Sequence, residues 1–143
     1  MQLKLDIITQ EKHLLSDTVD QITAPAATGE VTILPNHIPL FTRLNDGIIR
    51  YRKGTTAIEY AVLGGFMDVA PGSHVTILAD SAIRSADINL AKAEAAKAKA
   101  EAALQNKQSE VEFKLAEAAL RKALLELKAA RRHHGSNPLP SAA

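Results

Sequence analysis

The sequence predicts a β plus α chain: an N-terminal β-sandwich of about ten strands, followed by a C-terminal antiparallel two-helix hairpin. Three observations carry this reading. Six of the seven glycines and four of the six prolines stand before Ser85, and neither residue recurs until Gly135. The same first part shows period-2 apolar alternation, as in LKLDI (Leu3, Leu5, Ile7) and HVTIL (Val75, Ile77). After it alanine dominates, and apolar residues recur in steps of three and four, the helical period.

In the first part, turn signals fall at short intervals: Ser16-Asp17, Thr28-Gly29, Asn45-Asp46-Gly47, Lys53-Gly54, Gly64-Gly65 and Pro71-Gly72. Short strands at that cadence suggest a sandwich or flattened barrel, with roughly eight to ten strands from the pattern alone. GEVTILPNHIPLF, residues 29–41, breaks the pattern because Pro35 and Pro39 each fix φ and remove a backbone donor, which neither a central strand nor a helix tolerates. The segment is therefore a shaped corner. Leu34, Ile38, Leu40 and Phe41 at its edges either pin a core or present an apolar surface.

In the second part, Asp87 is the expected N-cap of a first helix running to about Leu104, and Asn106-Lys107-Gln108 a short connection. Ser109 and Glu112 have capping-box spacing for a second helix, in which Phe113, Ala116, Leu120, Ala123, Leu127 and Ala130 form one seam. The first helix offers Ile88, Leu90 and Leu104 as large apolar groups and otherwise alanine methyls, each worth only ~0.8 kcal/mol on burial. Such a hairpin docks weakly and stays helical when undocked, as a movable arm should. The end, HHGSNPLPSAA, reads as disordered. The expected division is thus 1–86, 87–134 and a tail over 135–143.

Composition excludes more chemistry than it suggests. Aromatics make up 3% and Trp is absent, so a stacking platform for single-stranded nucleic acid is missing, and a net charge of +1 argues against bulk attraction to polyanions. Without cysteine there is no disulfide scaffold or thiolate metal site, and a reducing compartment is compatible. MQLKLD lacks an apolar leader core, and no run approaches ~18 apolar residues, so a soluble chain without a cleaved signal is expected. No Walker, dinucleotide, nucleophile-elbow or H-E-x-x-H motif occurs, and the Gly64-Gly65 pair reads as a turn between strands. The chain is expected not to be an enzyme, and neither a metal nor a firm cofactor is expected. Charge divides unevenly: 1–86 carry 7 basic and 9 acidic side chains, 87–143 carry 10 and 7. From Arg121 on, Arg121, Lys122, Lys128, Arg131 and Arg132 face one acid, Glu126. Pattern alone stops at a β-domain with a helical hairpin, an interaction module; a free-standing adaptor is the alternative reading.

Three motifs go further. G-E-x-x-I-x-P-x-H-x-P-L (from Gly29), G-G-x-x-x-V-x-P-G (from Gly64) and V-T-[IV]-L-A-D-x-A-I-R (from Val75) occur in order. With the Ala/Lys/Glu helical pair, from Leu3 to about Arg132, they resemble the epsilon-subunit family of bacterial rotary ATP synthases, called delta in mitochondria. The resemblance implies a ten-stranded sandwich on the rotating central stalk. It would bind the gamma subunit and touch the c-ring loops, with no catalytic residue of its own, peripherally at the cytoplasmic face of the bacterial membrane. It places Glu30 in a turn facing the c-ring and His37 near a gamma-facing edge, beside Pro35 and Asn36.

The resemblance also implies that the hairpin moves between a compact state and an extended state. The extended state inhibits ATP hydrolysis when the basic residues of the second helix meet acidic segments of the alpha and beta catalytic subunits. Some relatives bind ATP through I/L-D-x-x-R-A at the start of the first helix. Here the stretch is Ile88-Asn89-Leu90-Ala91-Lys92-Ala93, with an amide for the acid and lysine for arginine. Ile88, Asn89, Lys92 and upstream Arg84 are accordingly candidates for weak regulatory ATP binding at most.

Overall fold

The computed structural model describes residues 1–106 and 109–136, in two compact units, Met1–Arg84 and Ser85–Ala143. The first unit has ten strands: β1 (Leu3–Ile8), β2 (His13–Val19), β3 (Gln21–Ala26), β4 (Gly29–Ile33), β5 (Leu40–Arg43), β6 (Gly47–Lys53), β7 (Thr56–Leu63), β8 (Phe66–Ala70), β9 (His74–Leu78) and β10 (Ser81–Arg84). They form two five-stranded sheets, β2-β1-β9-β8-β5 and β10-β7-β6-β3-β4. Only β1 and β9 pair in parallel among the strand pairs of the described residues.

Alternation decides what each sheet buries. Leu3, Leu5 and Ile7 of β1, Met67 and Val69 of β8, and Val75 and Ile77 of β9 point inward from the first sheet. Ile22, Ala24, Ile33, Ile49, Tyr51, Tyr60 and Val62 meet them from the second. Tyr51 and Tyr60 stack there with ring centroids 6.3 Å apart. Burial, the strongest influence, pushes the Tyr51 hydroxyl up to about 12.

Gly64-Gly65 carries the chain from β7 in one sheet to β8 in the other, as a structural turn. The proline corner is equally local in its causes. His37 N–H donates to Leu34 O across 3.1 Å, Pro35 supplies the fixed φ, and Asn36 takes φ 65°, the left-handed position asparagine tolerates. Asn36 N–H then ties the corner to Ser73 Oγ at 2.8 Å.

The second unit begins with a 3-10 turn (Ser85–Asp87), then α1 (Leu90–Gln105) and α2 (Glu110–Ser136). The N-cap of α1 is Asn89, not Asp87: Lys92 N–H donates to Asn89 Oδ1 at 3.0 Å, while Asp87 closes the 3-10 turn. Asp87 had the right chemistry, but the short turn moved the helix start two residues on. Ser109 caps α2 as its spacing predicts, accepting from Glu112 N–H at 3.1 Å.

The α2 seam Ala116, Ala123, Leu127 and Ala130 is buried, with Phe113 and Leu120 half-buried. It faces Ala93 and Ala100 of α1, whose methyls permit a close helix approach. Gly135 and Ser136, expected in the tail, continue α2; residues 137–143, and Lys107 and Gln108 of the expected connection, lie outside the described residues.

Candidate functional site

The corner answers its own question: it presents surface. Leu34, Ile38 and Phe41 are exposed to 53%, 75% and 65%, and Leu40 alone turns halfway into the core. Phe41 leads onto the outer face of the first sheet. There it stacks on Phe66 with centroids 5.5 Å apart and planes 14° apart. Phe66 pairs with Leu78 and Leu78 with Ile8, so an apolar row runs across β8, β9 and β1. Two stacked phenylalanines left in water cost hydration free energy that a partner would recover.

Glu30 and the corner of Pro35, Asn36 and His37, which the resemblance assigns to different partners, stand at opposite ends of β4. Glu30 is in strand β4 rather than in the turn, one residue after the β3–β4 hairpin, exposed and paired with Pro25. The corner begins at the other end of β4, five residues on, or ~17 Å at strand rise. His37 Nδ1 lies 2.7 Å from Ile38 O, so its ring braces the corner.

A cluster that sequence reading missed lies beside the apolar row. Asp6 is only 7% exposed, and its two carboxylate oxygens accept hydrogen bonds from His13 Nε2 at 2.9 Å and His74 Nε2 at 2.6 Å. The three residues come from β1, β2 and β9 and meet only through the strand register, so no local spacing could reveal them. The hydrogen bond from His74, first, then those from Ser16 and His13, hold the Asp6 carboxyl below its usual value against the opposing effect of burial. A bond from Lys53 Nζ at 2.8 Å does the same for Asp17.

A carboxyl whose folded value is depressed stabilises the fold above the unfolded value near 4, and that contribution is lost as pH falls through the folded value. Asp6→Asn should therefore flatten the acid limb of stability. Between pH 5 and pH 2 the urea midpoint should drop less in the variant than in the parent, and equal drops would show that Asp6 is not responsible.

On the hairpin, all five basic candidates are exposed, but they do not form one patch. Arg121, Lys128 and Arg132 recur at i, i+7 and i+11 and share a stripe of α2, whereas Lys122 stands ~100° away from Arg121. Arg131 turns toward α1, with Nη2 3.8 Å from Glu94 Oε1. It borders a shallow cavity of about 430 Å³ lined also by Lys97, Glu101 and Leu127, where Lys97 pairs with Glu101 at 3.8 Å.

At the start of α1, Ile88 is buried, and Asn89 spends its side-chain oxygen on the cap. Lys92 is exposed on the first turn, and Arg84 ends β10 in the other unit. Among the described residues no His, Cys, Asp or Glu cluster has metal-binding geometry, and no helix is long and apolar enough to cross a membrane.

Residues 2–85 match the family model described as the ATP synthase delta/epsilon chain beta-sandwich domain, and 86–131 match that of its long alpha-helix domain. The chain is 50% identical over 133 residues to the ATP synthase epsilon chain of Chloroflexus aurantiacus, covering 93% of this chain and 95% of that one. It is 44% identical over 131 residues to that of Herpetosiphon aurantiacus, covering 92% and 96%. Its fold is similar to a chain in the Euglena gracilis mitochondrial ATP synthase OSCP/F1/c-ring structure, with TM-score 0.74, 27% identity, and 92% and 82% coverage. A chain of the Tetrahymena thermophila mitochondrial ATP synthase central stalk/c-ring shares the fold at TM-score 0.57 and 15% identity, with 91% and 97% coverage.

Proposed function

The chain belongs to the delta/epsilon chain family of ATP synthases, and on that premise we propose that its sandwich couples the gamma subunit to the c-ring while its hairpin brakes ATP hydrolysis. It is a non-catalytic part of the central stalk. The observation that carries the coupling reading is the stacked Phe41–Phe66 pair on the outer sheet face, continuous with exposed Leu78 and the corner. Gamma takes that apolar face. Glu30, at the far end of β4, offers a carboxylate to the polar c-ring loops, and His37 with Pro35 and Asn36 shapes the gamma-side corner. The complex then holds the chain at the cytoplasmic face of the bacterial membrane. The test is reconstitution: membranes depleted of this chain should regain coupled ATP synthesis when it is added back. Recovery without it would overturn the reading.

The brake rests on the arrangement of charge along α2. Exposed ion pairs contribute ~0.2–1 kcal/mol each, so the three cations of the stripe supply ~0.6–3 kcal/mol toward an extended state held on the alpha and beta subunits. Inverting a 1:99 population needs ~5.5 kcal/mol, so charge biases the switch and packing must complete it. Replacing Arg121, Lys128 and Arg132 by Gln should raise ATPase activity of the assembled enzyme nearly as much as replacing all five. Lys122→Gln alone should change little, and added salt should weaken the parent's inhibition. Unchanged activity in the triple variant, with salt-insensitive inhibition, would remove the electrostatic part.

ATP is at most a weak ligand of the hairpin. Asn89 is engaged as a cap, and Lys92 lacks arginine's planar fork. Titration calorimetry of the full chain should show no micromolar isotherm with ATP, with or without magnesium. A one-to-one isotherm abolished by Lys92→Ala would show that the altered signature does not matter.

A further inference from the structure

On the outer face of the β2-β1-β9-β8-β5 sheet, the apolar row and the Asp6 cluster share a register. One line of paired residues runs Phe66, Leu78, Ile8, His13, and the next runs Asp68, Thr76, Asp6, Ser16. Strands are spaced ~4.8 Å, so Asp6 on β1 lies ~10 Å across the sheet from the β8 strand of Phe66. A standard interface covers ~800 Å² per partner, a disc of ~16 Å radius. A subunit seated on Phe66 and Leu78 therefore also covers the side chains of His13 and His74, now 51% and 42% exposed.

Covering the cluster changes which protonation state is cheapest. With Asp6 ionised and both rings neutral the group carries one negative charge; one proton on either ring makes it neutral, and a second makes it positive. Removing water penalises net charge, so the singly protonated state is favoured under a partner. Imidazole exchanges protons in the physiological range, so the adjustment falls on the rings. Neighbouring charge is sparse and mixed: Lys4 on β1 pairs with His74, Asp68 on β8 lies beyond Thr76, Arg43 on β5 pairs with Phe66 at the far end of the His13 line, and Glu11 and Lys12 precede His13. Asp17 of β2 pairs with core residue Leu5, hence on the opposite face, and is engaged by Lys53.

We propose that the His13–Asp6–His74 cluster is a proton-binding site linked to docking, so that seating the gamma subunit on this face takes up close to one proton. The linkage rests on the docking reading given above. Affinity for the partner then falls as pH rises, by up to about tenfold per pH unit, which is the limit for one proton.

The experiment is titration calorimetry of the full chain into the alpha–beta–gamma complex depleted of it, at pH 7.5, in phosphate and in Tris buffers of matched salt, and again across pH 7 to 8. The parent is compared with His13→Gln/His74→Gln, whose amides can still donate to Asp6. The parent's binding heat should differ between buffers by the ionisation heat of about half to one proton, its affinity should fall about three- to tenfold from pH 7 to pH 8, and the double variant should lose both. Binding without proton uptake, or uptake that survives in the double variant, overturns the linkage alone. No binding by the parent overturns the docking reading and the linkage together.

Discussion

Gly65→Ala is expected to cost the sandwich at least ~3 kcal/mol, enough to remove much of the stability of a small domain. Two independent causes add. Gly65 has φ 108°, where an L side chain is strained, and a Cβ there would fall 2.0 Å from Leu78 O and 2.8 Å from Ala79 Cα. Both neighbours are backbone, so relief requires moving β9 or the residues after it. The carbonyl of Gly65 also accepts from Leu44 N–H at 2.8 Å, which ties the peptide to the start of the β5–β6 connection. Gly72 is the control: its φ is 86°, but nothing stands within 4 Å of its missing Cβ, so Gly72→Ala should cost only the backbone strain of ~1–2 kcal/mol. Urea unfolding of the two variants separates crowding from strain. Equal losses would mean that the sheet-to-sheet crossover relaxes freely.

That crossover also marks where sequence reading reaches its limit. The strands were legible because alternation such as Leu3/Leu5/Ile7 is enforced by one buried face, and the Ser109 cap because its donor lies three residues away. Local rules report local causes. The cap of α1 is ambiguous in the sequence because Asp87 and Asn89 are both good caps, and only the 3-10 turn over Ser85–Asp87 decides for Asn89. The Asp6 cluster was out of reach, since His74 meets Asp6 through a parallel β1–β9 pairing across 68 residues of chain. The basic candidates show the intermediate case. Their excess over acids is visible in the sequence, but that Arg131 faces Glu94 depends on how α1 and α2 pack.

The same distinction governs the outer sheet face, where Phe41 was visible as part of a corner but Phe66 gained meaning only from its stacking. Phe41→Ser/Phe66→Ser should weaken binding to the gamma subunit by at least ~100-fold. Burying one large apolar side chain contributes ~1.5–3 kcal/mol, and two act together here because the rings already contact each other. The fold itself should lose only the stacking contribution of ~0.5–1.5 kcal/mol, because both rings are largely outside the core. Binding should therefore fall far more than stability, which separates docking from folding. Val111→Ser, which alters an equally exposed apolar residue of α2, should leave gamma binding intact if the sandwich face carries it. Surface plasmon resonance against immobilised gamma, with urea midpoints measured in parallel, gives both quantities. Full affinity in the double variant would move the docking surface to the corner at Leu34 and Ile38, the other exposed apolar group of the sandwich, where Leu34→Ser/Ile38→Ser would then be the discriminating pair.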